Sequence, residues 1–127
     1  MRVPHPDEGE GVYVLRLERG KYYVGVTNDV RARLKEHRGT APLDGAKWTS
    51  LHKPVQLHAW YPGEDERFEN MMTLGLMSKY GWENVRGGRY CRVAMTQAPD
   101  ELATICPRCH ARHQDCFAEY DIDGAVL

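Results

Sequence analysis

Six residues along the first two thirds of the chain have side chains able to do chemistry: Tyr13, Tyr23, Arg33, His37, Glu69 and Asn84. Two phenols and an imidazole can hold or pass a proton. A guanidinium can grip a phosphate through its planar fork, and one carboxylate can anchor a hard cation that keeps most of its water. Each residue also has an ordinary use. A tyrosine in a strand packs, an arginine snorkels from a helix face, a histidine is a satisfied structural group, and an asparagine forms a turn. A second set lies near the C-terminus in CPRCHARHQDC, where Cys106, Cys109, His113 and Cys116 follow the spacing C-x2-C-x3-H-x2-C. Four soft or borderline donors so close together suit tetrahedral Zn2+. His110 directly follows Cys109, so the identity of the histidine ligand stays open. Cys91 with Cys106, Cys109 and Cys116 is an alternative set.

These groups act together only if the elements that carry them converge. Val12–Leu17 and Tyr22–Val26 read as strands around a turn at ERGK. Side chains alternate along a strand, so an odd-numbered loop puts Tyr13 and Tyr23 on one face and an even-numbered loop separates them. Asn28 or Asp29 caps a helix running to about Arg38, with Gly39 as its stop. Val30 and Leu34 mark its inner face, and Arg33 and His37 fall on that same face at helical spacing. Residues 39–53 read as a long loop, from which His52 could reach the site. Val55–Tyr61 alternates as a third strand. A second helix runs from about Glu64 to Tyr80 and stops at Gly81. Phe68, Met72, Gly75, Leu76 and Tyr80 form its apolar stripe, and Glu69 lies beside that stripe. WENVRGGRYCRV reads as a Gly-rich loop with a short extended piece, and TQAPDELAT as a short helix started by Pro99.

Composition sets outer limits. The chain has 127 residues and a formal net charge of −1, ordinary for a globular protein of one domain with a small appendage. The charge is unevenly spread. Between Glu10 and Arg92 there are 14 basic and 10 acidic residues, whereas Val93–Leu127 holds 2 basic and 6 acidic ones. That distribution is a weak cue for a phosphate-bearing partner of the first part. No apolar run approaches the length of a membrane span, and the first ten residues lack an apolar secretory core. The expected location is intracellular, cytoplasmic or nuclear, and not secreted. In that setting the clustered cysteines point to metal rather than disulfides.

The order is specific: Gly11-Val12-Tyr13, nine residues, Tyr23-Val24-Gly25, seven residues, Arg33, three residues, His37, and later Glu69 on a helix. This resembles the GIY-YIG nuclease family over roughly residues 10–92, with valine replacing isoleucine at position 12. FENMMTLGLMSKYGWENVRGGRYC is similar to a branch of that family in which the catalytic glutamate precedes such a segment. The resemblance implies an α/β fold, with a small three-stranded, mainly antiparallel sheet flanked by helices. It implies an endonuclease that hydrolyses DNA with Mg2+ or Mn2+ held by Glu69 in a one-metal site. Arg33 would hold the phosphate, Tyr23 or Tyr13 would help activate water, and His37 would shuttle a proton or touch phosphate. Gly25, His52 and Asn84 would support the site. The tail resembles a zinc knuckle with shortened later gaps, in which Zn2+ would be structural. Expected organisation is a lead-in at 1–9, the nuclease-like domain at 10–92, and a linker helix with a zinc-binding tail at 93–127. RNA stays open as a substrate, as does a partner protein for targeting. Two other readings remain: an inactive nucleic-acid-binding module of the same fold, and a zinc-stabilised protein-interaction domain.

Overall fold

The computed structural model describes residues 9–35 and 47–112. Strand β1 (Gly11–Leu17) turns through a single 3-10 turn at Glu18–Gly20 into β2 (Tyr22–Thr27). Arg19 and Gly20 take the positive φ values, 61° and 72°, that reverse the chain tightly. The Leu17 N–H donates to the Lys21 carbonyl at 2.8 Å, which encloses three residues and fixes the parity of the loop as odd. Leu15 therefore faces Tyr23, and Tyr13 faces Gly25. The two motif tyrosines share one face of the sheet.

Strand β3 (Pro54–Pro62) pairs antiparallel with the other edge of β1, placing Trp60 opposite Tyr13. A fourth strand, β4 (Val85–Gly87), runs parallel to β2, so the sheet order is β3-β1-β2-β4. The sheet is four-stranded and mixed rather than three-stranded and mainly antiparallel. A three-residue strand is too short to display alternation, so the sequence could only suggest a short extended piece there.

Alternation along the strands splits the core into two layers. Val12, Val14, Tyr22 and Val24 pack against Met72, Leu76 and Met77 of the long helix, together with Val85 and Ile105. On the opposite face Tyr13, Leu15 and Leu17 pack with Val30, Trp48 and Trp60. Val30 comes from α1 (Val30–Lys35), whose first turn is capped by Asp29: Ala32 donates its N–H to Asp29 Oδ1 at 3.1 Å. Trp48 comes from a short helix, α2 (Lys47–Leu51), inside the segment read as loop from sequence. Its indole Nε1 donates to the Tyr22 carbonyl at 3.0 Å, and that tertiary bond gives five residues of weak pattern their place.

Helix α3 (Glu66–Tyr80) is the long one, started by Asp65 and ended at Gly81 with φ 96°. Asp65 Oδ1 accepts from the Arg67 and Phe68 N–H groups. The helix buries Glu69, Thr73, Leu74 and Met77 as well as the expected Met72, Gly75 and Leu76, because β4 and the segment after it cover a second side. Pro99 precedes a 3-10 helix at Asp100–Thr104, where the sequence predicts a short helix. Among the described residues no helix is long and apolar enough to cross a membrane.

Candidate active site

The two motif tyrosines are close because of a glycine. Tyr13 is 2 % exposed and lies across β2 at Gly25. A Cβ at Gly25 would stand 2.3 Å from Tyr13 Oη, so only glycine leaves the ring its place. The Tyr13 and Tyr23 rings are tilted at 44° with centroids 6.2 Å apart. Tyr22 points to the other face, stacked on Tyr80 at 4.5 Å, and is a core residue.

Glu69 reaches this neighbourhood from α3 at the open end of the sheet. β4 pairs with β2 only from Tyr22 to Val24 and then stops at Gly87. Beyond that point the backbone N–H groups of Val26 and Gly88 bond the Glu69 carboxylate, in place of a continued ladder. The two glycines of VRGG permit the close approach. A Cβ on Gly87 would meet the Val24 carbonyl at 2.4 Å, and one on Gly88 would meet Asn70 Oδ1 at 2.2 Å. Asn70 Oδ1 also accepts from the Arg89 N–H at 2.9 Å, fixing the turn that presents Gly88. Burial raises the Glu69 pKa above its ordinary value, with Glu66 adding to the rise and the two backbone bonds opposing it.

The charges converge on the Tyr23 hydroxyl. Burial first, then the Glu69 carboxylate and the Cys91 thiol, push its pKa up to about 12, and only the Arg33 guanidinium pulls it down. Arg33 projects from α1 into an open cleft of about 600 Å3, whose lining includes Thr27, Asn28 and Arg67 and the carboxylates of Glu10, Glu64 and Glu66. A cation, a buried carboxylate and two phenols thus surround one edge of the sheet.

The other expected residues stand elsewhere. His37, His113 and Cys116 lie outside the described residues. His52 packs edge-on against Trp48, with ring centroids 4.4 Å apart. Burial, with Lys21 and Arg19 nearby, lowers its pKa, which puts it at the hairpin-turn end of the sheet. Asn84 accepts from Lys21 Nζ at 2.7 Å and donates to the Tyr80 carbonyl at 2.8 Å. It ties the hairpin turn to the C-terminal end of α3, roughly 16 Å along the helix from Glu69 at 1.5 Å per residue.

One residue that the sequence did not mark organises this region. Arg86 is 3 % exposed. Its guanidinium donates to the carbonyls of Arg92 (2.7 Å), Trp82 (2.7 Å), Val85 (2.8 Å) and Val93 (3.2 Å), and it lies 4.5 Å over the Trp48 ring. Only its position beside the Gly-Gly pair could have singled it out. Near the end of the described chain, Cys106 and Cys109 are buried at the ends of a tight turn. That turn is closed by bonds from the His110 N–H to the Cys106 carbonyl and from the Cys106 N–H to the Ala111 carbonyl, both 2.8 Å. His110 Nδ1 is 2.9 Å from Ser78 Oγ on α3. Cys91 is exposed and near Tyr23, and among the described residues it does not join Cys106 and Cys109 in a metal-holding group.

Residues 10–70 match the model of the GIY-YIG catalytic domain. The chain is 36% identical over 84 residues to a UPF0213 protein of Halalkalibacterium halodurans, covering 62% of this chain and 86% of that protein. It is 42% identical over 55 residues to a UPF0213 protein of Xanthomonas axonopodis pv. citri, covering 42% of this chain and 50% of the relative. A UPF0213 protein of Halobacterium salinarum is 46% identical over 46 residues, covering 36% of this chain and 56% of the relative. The chain thus spans about half the length of the Xanthomonas and Halobacterium relatives. No solved structure matches it significantly.

Proposed function

This chain belongs to the GIY-YIG family, nuclease-type hydrolases acting on nucleic acid, and from that premise we propose that it is a metal-dependent endonuclease of DNA. The observation that carries the reading is the electrostatic meeting of Glu69 and Arg33 at the Tyr23 hydroxyl, with Tyr13 on the same face. Arg33 would hold the scissile phosphate through its planar fork, in a cleft open to a polymer. Tyr23, with its pKa pushed up to about 12, keeps its proton at neutral pH. It therefore orients the attacking water, and takes up a proton only when further positive charge lowers its pKa. Tyr13, buried against Gly25, sets the position of Tyr23. His37 is kept in the reading as a proton shuttle or phosphate contact.

The residues fit a divalent cation of the Mg2+ or Mn2+ type. Among the described residues no three His, Cys, Asp or Glu side chains cluster to enclose a metal. Glu69 would therefore hold such a cation with water, as Mg2+ sites with one or two carboxylates do. When bound, the cation supplies Lewis-acid stabilisation of charge on the phosphoryl group. Zn2+ is a separate proposal for the tail. Two buried thiols at the ends of one tight turn are soft donors suited to it, and the engagement of His110 with Ser78 favours His113 and Cys116 as the remaining ligands.

The deciding experiment is cleavage of plasmid, single-stranded DNA and RNA with Mg2+ or Mn2+, by the wild-type chain and by Glu69→Gln. DNA cutting that disappears in the variant supports the reading. Binding without cutting would leave the inactive-module reading, and an unchanged rate in Glu69→Gln would remove the assignment of that residue.

A further inference from the structure

Beyond Glu69 the chain forms a second concavity, of about 350 Å3, whose walls include Arg89, Tyr90, Arg92, Met95, Pro99 and Asp100. It begins where the site ends. Gly88, which bonds the Glu69 carboxylate, immediately precedes Arg89, and Cys91, which acts on the Tyr23 hydroxyl, immediately precedes Arg92. The wall is held rigidly. Tyr90 and Gly87 exchange backbone bonds of 2.7 and 3.1 Å. Asn70 fixes the Arg89 N–H, and Arg86 fixes the carbonyls of Arg92 and Val93. Arg89 and Arg92 themselves are exposed, while Tyr90 and Met95 are half-buried against the core.

Charge distinguishes this groove from the cleft on the other side of the site. In the cleft at Arg33, two arginines face the four carboxylates of Glu10, Glu64, Asp65 and Glu66. In the groove two exposed arginines, Arg89 and Arg92, stand with one acid, Asp100, and Glu101 acts on the Tyr90 hydroxyl that Arg89 also bonds. A strand that leaves the site therefore meets a less acidic surface at the groove than along the rest of the cleft. We propose that the groove at Arg89–Arg92 carries the DNA strand on one side of the scissile phosphate. Arg89 and Arg92 hold flanking phosphates, and Tyr90 and Met95 offer an apolar wall to a sugar or base. This rests on the endonuclease reading and adds to it the surface that the strand occupies.

The test separates the two ideas. Binding of a fluorescein-labelled mixed-sequence DNA duplex is followed by anisotropy between low and physiological salt, using the full chain carrying Glu69→Gln without added divalent metal. Removing one arginine–phosphate interaction should lower the slope of log K against log salt by about 0.9, which near 0.15 M salt is roughly a fivefold rise in Kd. Arg89→Gln and Arg92→Gln should each show that change. Arg108→Gln, an equal change of charge at an exposed position on the Cys106–Cys109 turn, should show neither. A chain that binds and cuts DNA but responds to Arg89→Gln and Arg92→Gln no more than to Arg108→Gln sinks the groove and leaves the endonuclease reading standing. A chain with no affinity for DNA at any salt overturns both.

Discussion

Replacing Gly25 with alanine puts a methyl group where the Tyr13 ring now lies. The new Cβ would stand 2.3 Å from Oη, 2.4 Å from Cζ and 2.8 Å from Cε1 of Tyr13. Carbon atoms rest at about 3.5–4.0 Å, so the ring must retreat by more than about 1 Å. It has little room, being 2 % exposed and packed in the layer that holds Leu15, Val30, Trp48 and Trp60. Overpacking of this kind costs about 1–3 kcal/mol, or roughly 4–12 °C in melting temperature for a chain of this size. A displacement of about 1 Å at a reacting centre can cost on the order of 100-fold in rate. The assay is single-turnover DNA cleavage alongside thermal unfolding. Two backgrounds test the cause. In Tyr13→Ala the clash is gone, so Gly25→Ala should cost almost no further stability, a coupling of about 1–3 kcal/mol. In Tyr13→Phe, Cζ and Cε1 remain and most of the penalty should persist. Equal cost of Gly25→Ala in all three backgrounds, or wild-type cleavage by the single variant, would refute the argument.

Glu69→Gln should raise the melting temperature at pH 7 even as it removes cleavage. Burial raises the folded-state pKa, so the folded chain holds this proton more tightly than the unfolded one. The associated stability is full below the unfolded pKa and is lost as pH rises through the folded value, so the variant's advantage should vanish near pH 4. A variant less stable than wild type at pH 7 would contradict this. Arg86→Met should lower stability by about 3 kcal/mol or more in denaturant melts, because four carbonyls lose a charged donor, and Arg86→Lys should recover only part. A loss under about 1 kcal/mol would show that water replaces the clamp. Elemental analysis should find about one Zn2+ per chain, lost in Cys106→Ser and kept in His110→Ala, as expected of a four-ligand site. Metal-free protein purified under reducing conditions would end the zinc proposal.

The sequence made the hairpin, β3 and α3 legible because each carries a clear period, with Gly20 in the turn and Gly81 after α3 as breakers. It puts the start of α3 at about Glu64, whereas Asp65 caps a helix that begins at Glu66. The placement of Tyr13 with Tyr23 was not legible, since it hangs on whether the turn holds an odd or even number of residues. Arg86 and β4 were hidden for a different reason. The strand has three residues, and the value of its arginine lies in carbonyls spread from Trp82 to Val93, which no local pattern encodes. Helix α2 was hidden likewise, since its anchor is a bond from Trp48 to a strand 26 residues earlier. Asn70 matters through its side-chain oxygen, which accepts from a backbone N–H 19 residues later, and Gly88 through its close approach to Asn70, so neither partner was visible locally.

Every acceptor of the Arg86 clamp is a main-chain carbonyl. A carbonyl belongs to every residue, so at the exposed position 92 the clamp does not depend on which side chain stands there. Substitutions at Arg92 can therefore alter what the groove presents to its ligand without loosening the wall that presents it. The rigidity of this wall and the chemistry of its surface are separately adjustable, which makes position 92 a place where substrate preference can drift while the fold stays the same.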